Sequence, residues 1–290
     1  CSNAKCLPMP SKFLFLLLWI TMLVVAPATA GPHPVPENSL WLTYEGKDGP
    51  GKGVHIVLIA ADQEYRSEQS MPMLAKILSE RHGFHCTVLF SVNDEGMADP
   101  TKKIRWEDEE VSHDIPGIEH LQTADLMILF SRLITLPEEQ LAFIYEYLDS
   151  GKPLIGLRTA NHGFIGFDYR KDGERVRFGE DVLGGSFRNH HGRWHQDSTR
   201  GFPVEKNRDH PILIGVDDVW GPSDVYRTFE EGGGLPEGCV GLLMGQPLTG
   251  RLPDSHGVSS NSRRLGEQEV TLAEHLSRAG YRTFGAVANL

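Results

Sequence analysis

"DLMILFSRLITLPEEQLAFIYEYLDSGKPLIGL", residues 125–157, carries two periods in one stretch. Asp125 to Phe130 is a continuous apolar run of strand length. Leu136 to Ser150 then sets Leu141, Ile144, Tyr145 and Leu148 on one helical face, with Pro137 at a first-turn position and Gly151 past its end. Pro153 to Leu157 returns to a short apolar strand. Strand, helix and strand in that order, with strands apolar throughout rather than alternating, predict a parallel sheet buried on both faces.

The same pattern holds upstream. Val54 to Ala60 ("VHIVLIA") reads as a strand, Ser70 to Arg81 as a helix with Gly83 as its C-cap, and His85 to Ser91 as the next strand. Residues 92–114 are charged and aperiodic ("KKIRWEDEEVSHD") and read as a surface insertion, while the Gly- and Pro-rich residues 31–52 read as an irregular lead-in. The expectation is one α/β domain over residues 53–250, its parallel sheet covered by helices on both faces.

The first 30 residues read differently. Lys12 precedes an apolar stretch from Phe13 to Val25, and Ala28-Thr29-Ala30 stands before Gly31, the pattern of a secretory signal peptide. Met9 reads as its start. A bilayer crossing needs about 20 apolar residues, so a retained membrane anchor is not expected. Loss of Lys5 and Lys12 with this segment takes the formal charge from −11 to −13. An exported protein this acidic is a poor partner for nucleic acid or anionic lipid. Of the cysteines, Cys86 and Cys239 remain, and both are expected as buried small hydrophobes rather than a disulfide framework.

In an open parallel sheet, ligands sit outside the carboxyl ends of the strands. The residues leaving those ends are Asp62, Glu64, Tyr65 and Arg66, then Ser131 and Arg132, then Arg158 to His162. The last group lies in "GLRTANHGF" (156–164), where a nucleophile elbow would carry Cys or Ser. Arg158 and Thr159 stand there instead, and no Cys or Ser occurs between Gly151 and Asp181. A guanidinium stays protonated and cannot attack, but its planar donors suit a carboxylate or vicinal oxygens. Arg158 therefore either binds and polarises oxygen, or pairs with Glu64 or another strand-end acid.

Two further clusters stand out. "FRNHHGRWH" crowds His190, His191 and His195 with Arg193 and Trp194, which offers proton transfer or metal ligation. Adjacent histidines point in different directions and no Glu-rich helix completes a ligand set, so no metal is assigned. In "WGPSDVYRT" (220–228), Asp224 and Tyr226 fall on one side of an extended segment. They form either an acid and a hydroxyl lining a sugar site or a buried tyrosine satisfied by a carboxylate. "DHPILIGV" (209–216) reads as a turn and a short strand.

"HIVLIAADQEYRSEQSMPMLAKIL", "ADLMILFSRLITLPEEQLAFIYEYLDSGKPLIGLRTANHGF", "VLGGSFRNHHG", "DHPILIGV" and "WGPSDVYRT", in this order, resemble the ThuA-like, trehalose-utilisation family over residues 53–250. The resemblance implies a flavodoxin-like, class I glutamine amidotransferase-like doubly wound sheet and a link to disaccharide or keto-sugar metabolism. The family lacks the amidotransferase cysteine, as does this chain. Related members often carry histidine directly after the strand's "GL", where this chain has Arg158, with His162 four residues on. The tail, residues 251–290, resembles a fragment of the sulfatase family through "HGV", "TLAEHL" and "AGYRT"; the two resemblances meet at Leu248-Thr249-Gly250. The sulfatase nucleophile motif, Cys/Ser-x-Pro-x-Arg, is absent, and the tail is expected to pack loosely.

Together these readings make the chain an exported protein acting on a small carbohydrate, neither an amidotransferase nor a sulfatase as it stands. His162, His190 and Glu64 are the catalytic candidates, and Arg66, Arg132, Arg158, His191, Asp224 and Tyr226 the substrate-binding ones. The alternative is a non-catalytic carbohydrate-binding module of the same fold. No cofactor is identified, and assembly as a homo-oligomer stays open.

Overall fold

The central strand, His55–Ala61, sends alternate side chains into two separate cores. Ile56, Leu58 and Ala60 pack with Met71 and Ala75 of one helix, whereas Val57, Ile59 and Ala61 pack with Leu141, Ile144 and Tyr147 of another. A strand with a core on each side has no face to give to water, which is why its sequence is apolar at every position from Ile56 to Ala61.

The computed structural model describes residues 40–93, 95–98, 113–194, 196–217, 219–229 and 234–248. The expected signal peptide, the sulfatase-like tail, His195 and most of the charged segment 92–114 lie outside them. The first elements are β1 (Leu42–Tyr44), β2 (His55–Ala61), α1 (Ser67–His82), β3 (His85–Phe90), β4 (Leu126–Ser131), α2 (Glu138–Asp149) and β5 (Leu154–Gly156). They form one sheet in the order β1-β3-β2-β4-β5, parallel except for β1 at the edge. Counted in chain order the parallel strands lie 2-1-3-4, the start of the flavodoxin-like order. With α1 on one face and α2 on the other, the protein is an α/β, doubly wound, flavodoxin-like and class I glutamine amidotransferase-like fold. No helix among the described residues is long and apolar enough to cross a membrane.

Several local expectations need correction. The lead-in is not wholly irregular: β1 pairs antiparallel with β3, Leu42 opposite Val88, and Trp41 enters the core at 8% exposure. An open β3 edge would leave its backbone donors unpaired, and a short antiparallel strand covers it. Helix α1 starts at Ser67, three residues before the periodicity begins, because the Ser67 hydroxyl accepts from the Asp62 N–H and donates to the Asp62 carbonyl, each at 2.9 Å. Its end is as expected, with Gly83 at φ 82° donating to the Leu78 and Ser79 carbonyls. In α2 the buried face is Leu141, Ile144 and Tyr147, with Tyr145 and Leu148 at its margin. Of the described part of the charged segment, Val92 and His113 are buried, while Glu95, Met97, Ala98 and Asp114 are exposed as expected of a surface insertion. Cys86 is buried as expected but Cys239 is exposed, and both are free thiols.

After β5 the chain becomes largely antiparallel. A hairpin of β6 (Tyr169–Lys171) and β7 (Glu174–Val176) is followed by β8 (Asn189–His191), β9 (Ser198–Pro203), β10 (Val219–Gly221), β11 (Val225–Arg227) and β12 (Leu243–Leu248). Strand β8 pairs with β11, and β10-β9-β12 form a three-stranded sheet. "DHPILIGV" contributes a short 3-10 turn, Pro211–Leu213, rather than a strand, with His210 Nδ1 accepting from the Ile212 N–H.

The two cores set a stability expectation. Leu58 is fully buried between strands and α1, so Leu58→Ala should cost about 2–5 kcal/mol. Ile155→Ala, at a position 46% exposed, should cost far less. Urea unfolding of both variants checks the contrast.

Candidate functional site

Three turns leave the carboxyl ends of β2, β4 and β5, and each holds a non-glycine residue in the left-handed region: Arg66 at φ 56°, Leu133 at φ 50° and Arg158 at φ 44°. Such a conformation costs about 1–2 kcal/mol per residue, and strain of this kind gathers at functional sites. The β4 and β5 turns are joined by backbone bonds from Leu133 N–H to the His162 carbonyl (3.1 Å) and from Ile134 N–H to the Gly163 carbonyl (2.9 Å). Gly163 is required by this approach, since a Cβ there would lie 2.2 Å from the Ser131 hydroxyl oxygen.

Arg158 is the hub. Its Nη1 donates to the Asp224 carbonyl at 2.6 Å, and its Nη2 to the Ser223 hydroxyl at 3.0 Å, the Tyr65 hydroxyl at 3.2 Å and Asp224 Oδ1 at 3.2 Å. The guanidinium lies 3.8 Å from the centre of the Tyr226 ring. Of the two pairings open to Arg158, the acid is Asp224; Glu64 pairs instead with Arg132 at 3.2 Å. Asp224 has no exposed side-chain surface, and its second oxygen receives His190 Nδ1 at 2.7 Å. A carboxylate can only accept there, so the proton sits on Nδ1 and the basic lone pair on Nε2.

The β8–β11 ribbon explains which histidine arrives. Tyr226 lies directly opposite His190, and Val225 opposite His191. Cross-strand partners share a face and neighbours alternate, so His190, Tyr226 and Asp224 face Arg158 while His191 is exposed. Phe187 packs against His190, Tyr226 and His162, with ring centroids 5.2, 4.8 and 4.9 Å away. Burial raises the Tyr226 hydroxyl pKa well above its ordinary value, reinforced by a hydrogen bond with Tyr65. His162 donates Nδ1–H to Asn161 Oδ1 at 2.7 Å. Burial, then the nearby charges of Arg132 and Arg158, push its pKa down to about 3.

Seven of the nine expected side chains thus meet: Glu64, Arg132, Arg158, His162, His190, Asp224 and Tyr226. Arg66 pairs with Glu68 at 3.7 Å on the first turn of α1, and His191 stays outside. Sequence reasoning did not single out Phe187 or Ser223, and gave Asp62, Tyr65, Thr159 and Asn161 no role. Position after β2 was the available signal for Asp62 and Tyr65; an aromatic in an irregular stretch, as Phe187 is, carries none. A separate cavity of about 20 Å³, lined by Asp62, Gln63, Glu68 and Ser91, sits between the ends of β2 and β3.

Two depressed histidines give a pH expectation. His55, bonded to Thr87 Oγ1 (2.9 Å) and Thr123 Oγ1 (3.2 Å), is pushed down to about 4 by burial and by its neighbours His85 and His120. Between pH 6.5 and about 4 for His55, or about 3 for His162, the unfolded chain binds protons that the folded chain does not. Stability should therefore be fully present above pH 6.5 and decline on acidification through that window. Urea midpoints from pH 8 to 4 check this, and a His162→Asn variant should show a shallower decline.

The sequence matches no family model and no curated protein. Among solved structures, a ThuA-like protein from Parabacteroides merdae is similar at 17% identity and a TM-score of 0.33, over 60% of this chain and 64% of that one. The chain thus spans less than two thirds of that protein. The fold assignment rests on the strand order and the two helix layers rather than on this likeness.

Proposed function

We propose that this is an exported ThuA-like enzyme acting on a sugar or keto-sugar of disaccharide metabolism, by proton transfer at the carboxyl ends of β2, β4 and β5. The observation that carries the reading is the His190–Asp224 pair beside Arg158. An imidazole held by a buried carboxylate on Nδ1 has the orientation of a general base, its Nε2 accepting a proton and the carboxylate stabilising the imidazolium. His162, neutral at pH 7, serves as a hydrogen-bonding group. Arg132 and Arg158 supply positive charge where a sugar oxygen gains negative charge, and Glu64 and Tyr226 orient hydroxyls. No step needs a nucleophile in the "GLRTANHGF" turn. Export follows from the signal-peptide pattern, and the sulfatase-like tail supplies no chemistry.

Proton NMR of the chain with a panel of glucosides and their keto forms over hours tests this. New product resonances that vanish in His190→Gln support the enzyme. A second reading, a carbohydrate-binding module, is favoured by the terminal nitrogens of Arg158, which already hold four acceptors within the protein. Saturable broadening of sugar resonances without product selects it.

A further inference from the structure

We propose that Asp62 is a positioning residue for the cluster around Arg158, an inference that rests on that cluster being the working site. Asp62 is 3% exposed, and its carboxylate is spent on two fronts. Oδ1 accepts the backbone N–H groups of Glu64 at 2.8 Å and Tyr65 at 2.5 Å, and Oδ2 accepts the Thr159 hydroxyl at 2.5 Å. Both fronts end at the same residue. The Tyr65 hydroxyl accepts from Arg158 Nη2, and the fully buried Thr159 follows Arg158 in the chain.

Asp62, Tyr65, Arg158 and Thr159 therefore close a ring of bonds around a residue at φ 44°. The ring is anchored to α1 because the Ser67 hydroxyl holds the Asp62 N–H and carbonyl. The Asp62 carboxylate faces inward and acts through Arg158. Where Arg158 points decides how Asp224 is held, and Asp224 holds His190.

The test reads Arg158 directly and uses no sugar. The full chain is treated with phenylglyoxal, and labelling of Arg158 and Arg132 is followed over time by peptide mass mapping. Arg132, with 15% of its side chain exposed against 21% for Arg158, is the internal reference for the Thr159 variants, since Thr159 makes no bond to the Glu64–Arg132 pair, whereas Asp62 holds the Glu64 N–H. Asp62→Ala and Thr159→Val should each raise the Arg158-to-Arg132 labelling ratio several-fold, whereas Thr159→Ser, which keeps the hydroxyl, should retain the wild-type ratio. An unchanged ratio in folded Thr159→Val overturns the proposal. So does a parallel rise at both arginines, which means general loosening, or a Thr159→Ser variant that behaves like Thr159→Val. Should Asp62→Ala not fold, Thr159→Val and Thr159→Ser decide alone. A changed ratio with no turnover in the NMR panel would keep the positioning role and reject the sugar chemistry.

Discussion

Asp224→Asn is expected to lower turnover of any sugar found in the NMR panel by about 10²–10⁴-fold, the usual contribution of a positioned acid or base. The amide keeps the carboxylate's shape but not its charge, so it cannot stabilise a protonated His190 as the buried Oδ2 does at 2.7 Å. Asp224→Ala should cost stability as well, about 3–5 kcal/mol, because it strips Arg158 and His190 of a fully buried partner. Initial rates together with thermal melting separate the effects. Near wild-type turnover in folded Asp224→Asn would remove His190–Asp224 from the mechanism.

The second large effect is expected from Arg158→Ala. It removes four hydrogen bonds and the contact with Tyr226, and leaves the Asp224 carboxylate buried beside His190 and Ser223 without its guanidinium partner. Breaking one side of a buried pair costs about 3–5 kcal/mol, so the melting temperature should fall measurably while the two main cores hold the domain together. Turnover should be lost, because both Asp224 and the positive charge over the site depend on this side chain. Arg158→Lys restores charge but not the planar fork, and should recover stability more than activity. Equal recovery of both would mean that charge alone suffices.

The contrast between the two halves of the chain shows what a sequence discloses. Val57 to Ala61 and Met127 to Phe130 are buried on both faces, and such strands declare themselves locally because every position must be apolar. The rule placing ligands at strand carboxyl ends then gathered Glu64, Arg132, Arg158 and His162 without any long-range knowledge. Arg66 follows the same rule, but its side chain pairs with Glu68 at 3.7 Å instead of joining the cluster around Arg158.

Alternation along single segments was also legible: it put Asp224 with Tyr226 and separated His190 from His191. Which of the two histidines faces the sheet was not. That depends on the β8–β11 register, and a slip of one residue would exchange them.

The sequence by itself determined the parallel, double-faced sheet and the polar character of its carboxyl edge, since both follow from the local period of apolar and polar residues. Only the tertiary structure decided that Arg158 takes Asp224 rather than Glu64, and that Asp62 reaches Thr159. Those pairs are 66 and 97 residues apart in the chain, and hydrogen-bond partners at that separation are chosen by how the elements pack, which no local pattern encodes.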